Sequence, residues 1–152
     1  MDELLSQFIE IREEFNKILD RFPALSRSVV LFGDWNLKDL IAHLTGWDRY
    51  FVDILDSLQA GEEPPYWGNM TRFNKTSVQK RSASSWEDNY DEFVATGEEF
   101  IRRYNQLPVE FRWNRFWRRR SYTPVRILEI NIHHYGSHLS QVKRKLYRLE
   151  KE

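Results

Sequence analysis

The sequence contains no cysteine, and this absence excludes several kinds of chemistry. Without a thiol the chain can form no disulfide, offer no thiolate ligand to a metal and carry no cysteine nucleophile. The lack of cysteine also fits a reducing compartment, so we expect a cytoplasmic protein. Any reaction of this protein that needs a thiol must obtain that thiol from outside the chain.

The sequence also lacks an excess of charge and lacks long apolar runs. Its 23 basic and 23 acidic residues give a formal net charge of zero, which argues against attraction of the whole surface to nucleic acid or to an anionic membrane. No stretch approaches the roughly 18 apolar residues of a membrane span, and the acidic, amphipathic N-terminal segment is unlike a secretion signal. We therefore expect neither a membrane nor a nucleic acid as the main partner.

Four amphipathic segments dominate the part of the sequence that carries a regular pattern. In each segment the apolar residues alternate between spacings of three and four, which is typical of a helix with one buried stripe. The segments run over residues 4–22, 37–58, 86–104 and 125–149. Pro23 follows the first, while Asn36, Ser85 and Thr123 stand at N-cap positions of the others. No segment has the period of a convincing strand, so we predict an all-α, four-helix bundle as one domain over residues 1–152.

Two linkers are too long for tight turns. Residues 61–85 form a long crossover connection between the second and third helices, and we expect a short helix within it. Residues 105–122 contain a cluster of arginines, Arg112, Arg115, Arg118, Arg119 and Arg120, interleaved with Phe111, Trp113, Phe116 and Trp117. The aromatic side chains can cap the end of the bundle while the arginines pair with acidic helices. Alternatively, Arg118, Arg119 and Arg120 bind an anionic cofactor, or the cluster stacks on nucleic-acid bases.

The four histidines lie in only two places, which makes them the sharpest local signal. His43 is in the second helix, whereas His133, His134 and His138 are in the fourth. His134 and His138 are four residues apart, so their rings share one helix face and can bind one ion. His43 lies on the side of its helix that faces the bundle and is the candidate third ligand. A pair at this spacing is also common on polar helix faces, and helical periodicity alone does not show that the three rings converge.

Other polar residues are candidates for supporting roles. Asp39, one turn before His43, can orient that imidazole or bind a metal, although a solvated helix acid is the simpler interpretation. Asn131 and Gln141 lie on the helix face of His134, where either can bond a water on the metal. We interpret His133 as a surface residue. The sequence contains neither a Gly-x-Ser-x-Gly nucleophile motif nor a phosphate-binding glycine loop.

Two stretches resemble signatures of the DinB-like superfamily of metal-binding four-helix bundles. The stretch WNLKDLIAHLTGW, from Trp35 to Trp47, is similar to the second-helix signature, with a Trp eight residues before the first metal histidine. The stretch HYGSHLSQ, from His134 to Gln141, resembles the fourth-helix signature of two histidines four apart. Many members have His-Arg-Gly-Gln where this chain has His138-Leu-Ser-Gln141. The likeness extends to the crossover and to the ClbS/DfsB-like branch, and it implies that His43, His134 and His138 are the metal ligands.

The resemblance implies a metal-dependent enzyme but leaves its reaction open. Members use a small thiol cofactor for transfer or isomerisation, or hydrolyse a reactive metabolite. We therefore expect Zn, Ni or Fe as a divalent ion that activates water or an exogenous thiol for hydrolysis or transfer on a small, toxic molecule, in a homodimer. The alternatives are a protein that sequesters a small molecule without turnover, and a protein that binds nucleic acid through the arginine cluster.

Overall fold

The regular structure of the chain is helical. The computed structural model describes residues 2–66, 68–113 and 123–152. Its helices, numbered in chain order, are α1 (Glu3–Arg21), α2 (Leu37–Gln59), α3 (Met70–Gln79), α4 (Trp86–Gln106) and α5 (Pro124–Lys151). Short 3₁₀ turns occupy Ala24–Ser26 and Val109–Trp113. Within these described ranges the β-type pairing is limited to an isolated bridge between Phe32 and Trp35, so the predicted all-α fold is confirmed.

The helices begin where the polar residues of the sequence predict caps. Oδ1 of Asn36 accepts from the backbone N–H of Asp39 (2.9 Å), and the carboxylate of Asp39 accepts from the backbone N–H of Asn36 (3.1 Å). This reciprocal capping box satisfies two backbone donors at the start of α2. Ser85 and Thr123 cap α4 and α5 without the reciprocal bond, since their hydroxyl oxygens accept from the backbone N–H groups of Asp88 and Arg126. The predicted starts of these three helices are therefore correct.

The core of the bundle contains a group of aromatic rings from α1, α4 and α5, surrounded by aliphatic side chains from all four long helices. Tyr135 lies at the centre of this group, with ring centroids 5.1 Å from Phe8, 5.8 Å from Phe15 and 5.9 Å from Phe93. These residues are fully buried, and the contacts, edge-to-face with Phe8 and Phe15 and stacked with Phe93, add to the free energy gained by burying the rings. Much of the aromatic content of the chain therefore stabilises the bundle.

The long connection between α2 and α4 contains α3, as the sequence predicts. α3 lies against α2, and Gly46 is what allows the close approach: a Cβ at this position would lie 2.2 Å from Oγ of Ser77. The ring of Phe73 also contacts Trp47, with 4.6 Å between the centroids. The crossover helix is therefore held on the outer face of α2, beside the segment that carries His43.

None of the helices described is both long enough and apolar enough to cross a membrane. Of the arginine cluster, Arg112 is described and is buried. Its guanidinium donates to the carbonyl oxygens of Asn105 (3.2 Å) and Leu107 (3.3 Å) and lies over the ring of Tyr104 (5.0 Å). Arg112 also lies 3.7 Å from the carboxylate of Asp2 at the start of α1, whereas the side chain of Trp113 is exposed, so the capping interpretation of the cluster stays a prediction. Arg118, Arg119 and Arg120 lie outside the described residues, so their predicted role in cofactor binding stays a prediction.

Candidate metal centre

Three histidine side chains meet between α2 and α5. Nε2 of His43 lies 2.8 Å from Nε2 of His134, which in turn lies 3.1 Å from Nε2 of His138. All three nitrogens lie within 4.8 Å of one another. Three nitrogens bound to one ion at about 2.0–2.1 Å, with angles of 90–109°, are separated by roughly 2.9–3.4 Å. Two of the three separations therefore lie at or near that range, and the third pair, within 4.8 Å, must draw closer for the three side chains to share a single ion.

The helices explain why these rings converge. One turn of α5 separates His134 from His138, so both rings leave the same face of that helix. His43 faces them from α2, as predicted from its position on the bundle side, and only 4% of its surface is exposed. His133 is exposed, in agreement with its interpretation as a surface residue. Helix periodicity brings two of the rings together, and packing of α2 on α5 adds the third.

Burial keeps the three imidazoles neutral. Desolvation, followed by repulsion from the neighbouring histidines, lowers the pKa of His43 and of His134 from 6.5 to about 3. Desolvation also lowers the pKa of His138. A neutral imidazole carries one lone pair, which is the form that binds a metal. At neutral pH the three rings of the cluster are therefore uncharged, and each has a lone pair available for a metal ion.

Gln141 determines which nitrogen of His138 is free. Nδ1 of His138 lies 2.7 Å from Oε1 of Gln141, an acceptor that requires the ring proton to be on Nδ1. Nε2 of His138 then presents its lone pair to the other two rings. Gln141 is one turn from His138 on α5, so helix geometry maintains the contact. The sequence-based prediction that Gln141 bonds a water on the metal is replaced by this contact with the ligand itself.

Aromatic side chains from the α1–α2 connection enclose the cluster. The ring of Trp35 lies 4.7 Å from that of His43, and the ring of Phe32 stacks on His138 at 5.8 Å. Both aromatics belong to a turn closed by a bond from the Trp35 N–H to the Phe32 carbonyl (3.0 Å), with Gly33 at a φ of +53°. A positive φ favours glycine, because a Cβ there is strained. The turn therefore shields two ligands from water.

Two of the predicted supporting residues have other partners. The Asp39 carboxylate belongs to the capping box of α2 and makes no hydrogen bond with Nδ1 of His43, so it does not orient that ring in this geometry. Nδ2 of Asn131 donates to Asp48 (3.0 Å) in the core rather than to a water on a metal. For both residues, helix periodicity predicted the face of the helix on which the side chain lies, but it did not predict the hydrogen-bond partner of that side chain.

A second buried polar cluster lies beside the first, and sequence patterns did not reveal it. We call it the Asp48 network. The hydroxyl of Tyr135 and the amide of Asn131 donate to the carboxylate of Asp48, which is fully buried. Nη2 of Arg12 donates to the carbonyl oxygen of Val94 (3.0 Å), and its charge also acts on Asp48. The available signal was a pair of charged residues, Arg12 and Asp48, adjacent to the apolar stripes of α1 and α2.

The fold and the cluster define the class of protein: a helical bundle with a three-histidine site suited to one divalent ion. Residues 8–135 match the mycothiol maleylpyruvate isomerase N-terminal domain. The chain therefore belongs to this family, which is part of the DinB/YfiT-like superfamily, and the predicted superfamily is confirmed. The matched residues include His43 and His134 and end before His138.

One solved structure supports the same fold. The crystal structure of an uncharacterised protein from Escherichia coli UTI89 superposes with a TM-score of 0.83 over 98% of this chain and 93% of that chain, at 18% sequence identity. No functionally curated protein matches the sequence. The structural likeness therefore supports the architecture, and the candidate function depends on the family and on the geometry of the site.

Proposed function

We propose that this protein is a metal-dependent enzyme in which His43, His134 and His138 hold one divalent ion, with Zn, Ni and Fe as candidates. The observation that carries the proposal is the convergence of three neutral Nε2 atoms within 4.8 Å. Neutral rings can join one pair of these nitrogens by an N–H···N hydrogen bond, as the 2.8 Å contact allows. When each ring carries its proton on Nδ1, a single ion engages all three Nε2 lone pairs at once. A divalent ion is the partner that this arrangement best accepts.

Three protein ligands are typical of catalytic sites, because they leave coordination positions for reactants. When bound, the ion would supply Lewis acidity, which lowers the pKa of a coordinated water or thiol. The chain would contribute three neutral ligands that leave the charge of the ion undiminished, together with aromatic walls that limit access of water. The narrower likeness to the ClbS/DfsB-like branch, the homodimer and the cytoplasmic location stay predictions.

We further propose an exogenous small thiol as the nucleophile, in preference to water. The family to which the chain belongs is named for a mycothiol-dependent isomerase domain, and the chain has no cysteine of its own. A small organic substrate can occupy the cavity of about 330 Å³ between the α1–α2 connection and α3. Its lining residues are Trp35, Thr71, Asn74, Lys75, Val78 and Gln79. Trp35, whose ring lies 4.7 Å from that of His43, is the lining residue that links this cavity to the histidine cluster, and none of the three histidines lines it.

Metal content tests the site directly. Protein prepared without a metal-affinity tag should contain about one divalent ion per chain by elemental analysis. The variant with both His134→Ala and His138→Ala should contain almost none, because one imidazole cannot retain the ion. His133→Ala is the matched control, since it removes an exposed histidine from the same helix turn. Equal metal content in the wild type and the double variant would overturn the metal site.

Turnover separates an enzyme from a protein that only sequesters its ligand. The metal-loaded wild type should consume candidate electrophiles in the presence of a small thiol, and the rate should depend on thiol concentration. The double variant should lose this activity. Turnover without thiol would indicate a hydrolase instead, and recovery of chemically intact ligand after long incubation would favour sequestration.

A further inference from the structure

The second ring nitrogen of His43 differs from that of His138. Nδ1 of His138 contacts Oε1 of Gln141 at 2.7 Å. Nδ1 of His43 is buried and makes no hydrogen bond of standard geometry with any residue that the structure describes. A histidine that binds a metal through Nε2 carries its proton on Nδ1, and that N–H usually donates to an acceptor. Binding of an ion at His43 therefore requires an acceptor that the bundle helices do not supply in this geometry.

Asn74 on the crossover helix α3 is placed to act as that acceptor. Its Oδ1 accepts a hydrogen bond from Nε1–H of Trp47 (2.7 Å), one turn of α2 beyond His43. An amide oxygen has two lone pairs, so one remains for a second donor. Asn74 and Trp35 line the same cavity, and the ring of Trp35 lies 4.7 Å from that of His43. The amide therefore lies beside the aromatic residues that surround His43, and Trp47 orients it.

The other acceptor suggested by the sequence does not bond the ring. Asp39 lies one turn before His43 on α2, but its carboxylate accepts from the backbone of Asn36 and makes no hydrogen bond with Nδ1 of His43. Asn74 is held where it is by the docking of α3 on α2, which the Gly46 and Ser77 contact makes possible. The position of the acceptor thus depends on a helix outside the four-helix bundle.

We propose that Asn74 is a positioning residue, whose Oδ1 accepts the Nδ1–H of His43 when Nε2 binds the ion. This inference rests on the proposed metal site. A small reorientation of the imidazole or of the amide is enough to complete the bond. By fixing the proton on Nδ1, Asn74 would keep the Nε2 lone pair directed at the ion, as Gln141 does for His138. The crossover helix would then tune a site whose ligands all belong to the bundle.

Binding of Co²⁺ provides the test, because the absorption spectrum of this ion reports its coordination in addition to its affinity. Asn74→Leu removes the acceptor at similar volume, and we expect Co²⁺ affinity to fall by about 10–100-fold with an altered visible spectrum. Asn74→Asp keeps an oxygen acceptor and should restore at least wild-type affinity. Urea unfolding of each variant shows whether it is folded under the titration conditions.

The control variant tests whether any polar-to-apolar change on α3 has the same effect. Thr76→Leu alters an exposed polar residue of the same helix, so Co²⁺ affinity should remain within a few-fold of wild type. The inference is overturned if Asn74→Leu binds Co²⁺ as tightly as wild type. It is also overturned if Thr76→Leu weakens binding as much as Asn74→Leu does. Failure of the wild type itself to bind Co²⁺ would instead contradict the metal site, and the positioning role with it.

Discussion

Two clusters of buried polar side chains lie between α2 and α5, and they differ in how their charges are balanced. The Asp48 network contains its own cation, Arg12, and two hydrogen-bond donors to its carboxylate. The histidine cluster contains three imidazoles whose nitrogens face one another, and no lysine or arginine is among the groups that shift their pKa values. The first cluster contains both an acid and a base of the chain. The second contains no charged partner of its own and would be stabilised by a cation from outside.

The two clusters have different roles along α2 and α5: the Asp48 network joins the helices, and the histidine cluster carries the proposed ligands. Asn131 and Tyr135 lie on α5 within one turn of His134, while Asp48 lies on α2 five residues after His43. Hydrogen bonds of the Asp48 network therefore join the same two helices that carry the proposed ligands. Bonds of this kind help to fix the relative position of α2 and α5. The Asp48 network therefore helps to fix the distance between α2 and α5, and this distance determines how closely the three histidines approach one another.

The largest effect should follow from breaking the Asp48 network. Asp48→Ala leaves the buried hydroxyl of Tyr135 and the buried amide of Asn131 without their acceptor, and each unpaired buried donor costs about 1–3 kcal/mol. Urea unfolding of the apoprotein should show this loss in the free energy of unfolding. Asp53→Ala is the control, because Asp53 is an exposed acid on the same helix. A loss below about 1 kcal/mol would show that the network does not hold the helices together.

The pH dependence of stability should have opposite signs in the two clusters. Burial raises the pKa of Asp48 from 3.8 to about 6, so between these values the folded state holds the extra proton and stability falls as pH rises. The pKa values of His43 and His134 are lowered from 6.5 to about 3. The unfolded state therefore binds the extra protons, and stability rises with pH across that window. Each group changes the slope by up to about 1.4 kcal/mol per pH unit.

Urea unfolding of the metal-free protein between pH 4 and 6 measures these slopes. Asp48→Asn should make stability rise more steeply with pH, because the opposing group is gone. The double variant with His134→Leu and His138→Leu should show a flatter or inverted slope, while His133→Leu is the control for loss of a histidine outside the cluster. Identical slopes in the wild type and both cluster variants would contradict the proposed assignment of charge.

The smallest effects should separate the neighbouring amides Gln141 and Asn131. Gln141→Ala removes the acceptor of the His138 proton and should weaken metal binding about tenfold, with little change in stability. Asn131→Ala removes a donor to the buried Asp48 and should lower stability by about 1–3 kcal/mol, with little change in metal affinity. Metal competition titrations and urea unfolding of both variants distinguish the two. Equal effects of both variants on metal affinity and on stability would contradict the conclusion that the two clusters act independently.

Local sequence signals predicted most of the fold. The caps at Asn36, Ser85 and Thr123, the alternating apolar spacings and the short helix in the crossover all depend on residues within a few positions of one another. Such signals predict helix boundaries well, because the forces that start and end a helix act locally. The pairing of His134 with His138 is also local, since one helical turn fixes their separation.

The partners of the remaining polar side chains were not predictable in this way. Asp39 and Asn131 lie on plausible faces, yet one caps a helix and the other bonds a carboxylate from a distant segment. For Arg12 and Asp48 the sequence offered only their position beside the apolar stripes, and for Asn74 it offered no indication of a role. The contacts of all three depend on residues far along the chain. Which of several acceptors a buried donor uses depends on distances of a few tenths of an ångström, and periodicity does not contain that information.

The sequence by itself thus determined an all-α bundle and placed three histidines on two helices, since both follow from the spacing of residues along a helix. The tertiary structure decided that their nitrogens converge and that Trp35 and Phe32 cover them. It also decided that the charged residues of the core balance one another while the histidines do not. The physical reason is that electrostatic balance between distant segments arises only when the helices pack, because burial removes the water that would otherwise screen each charge.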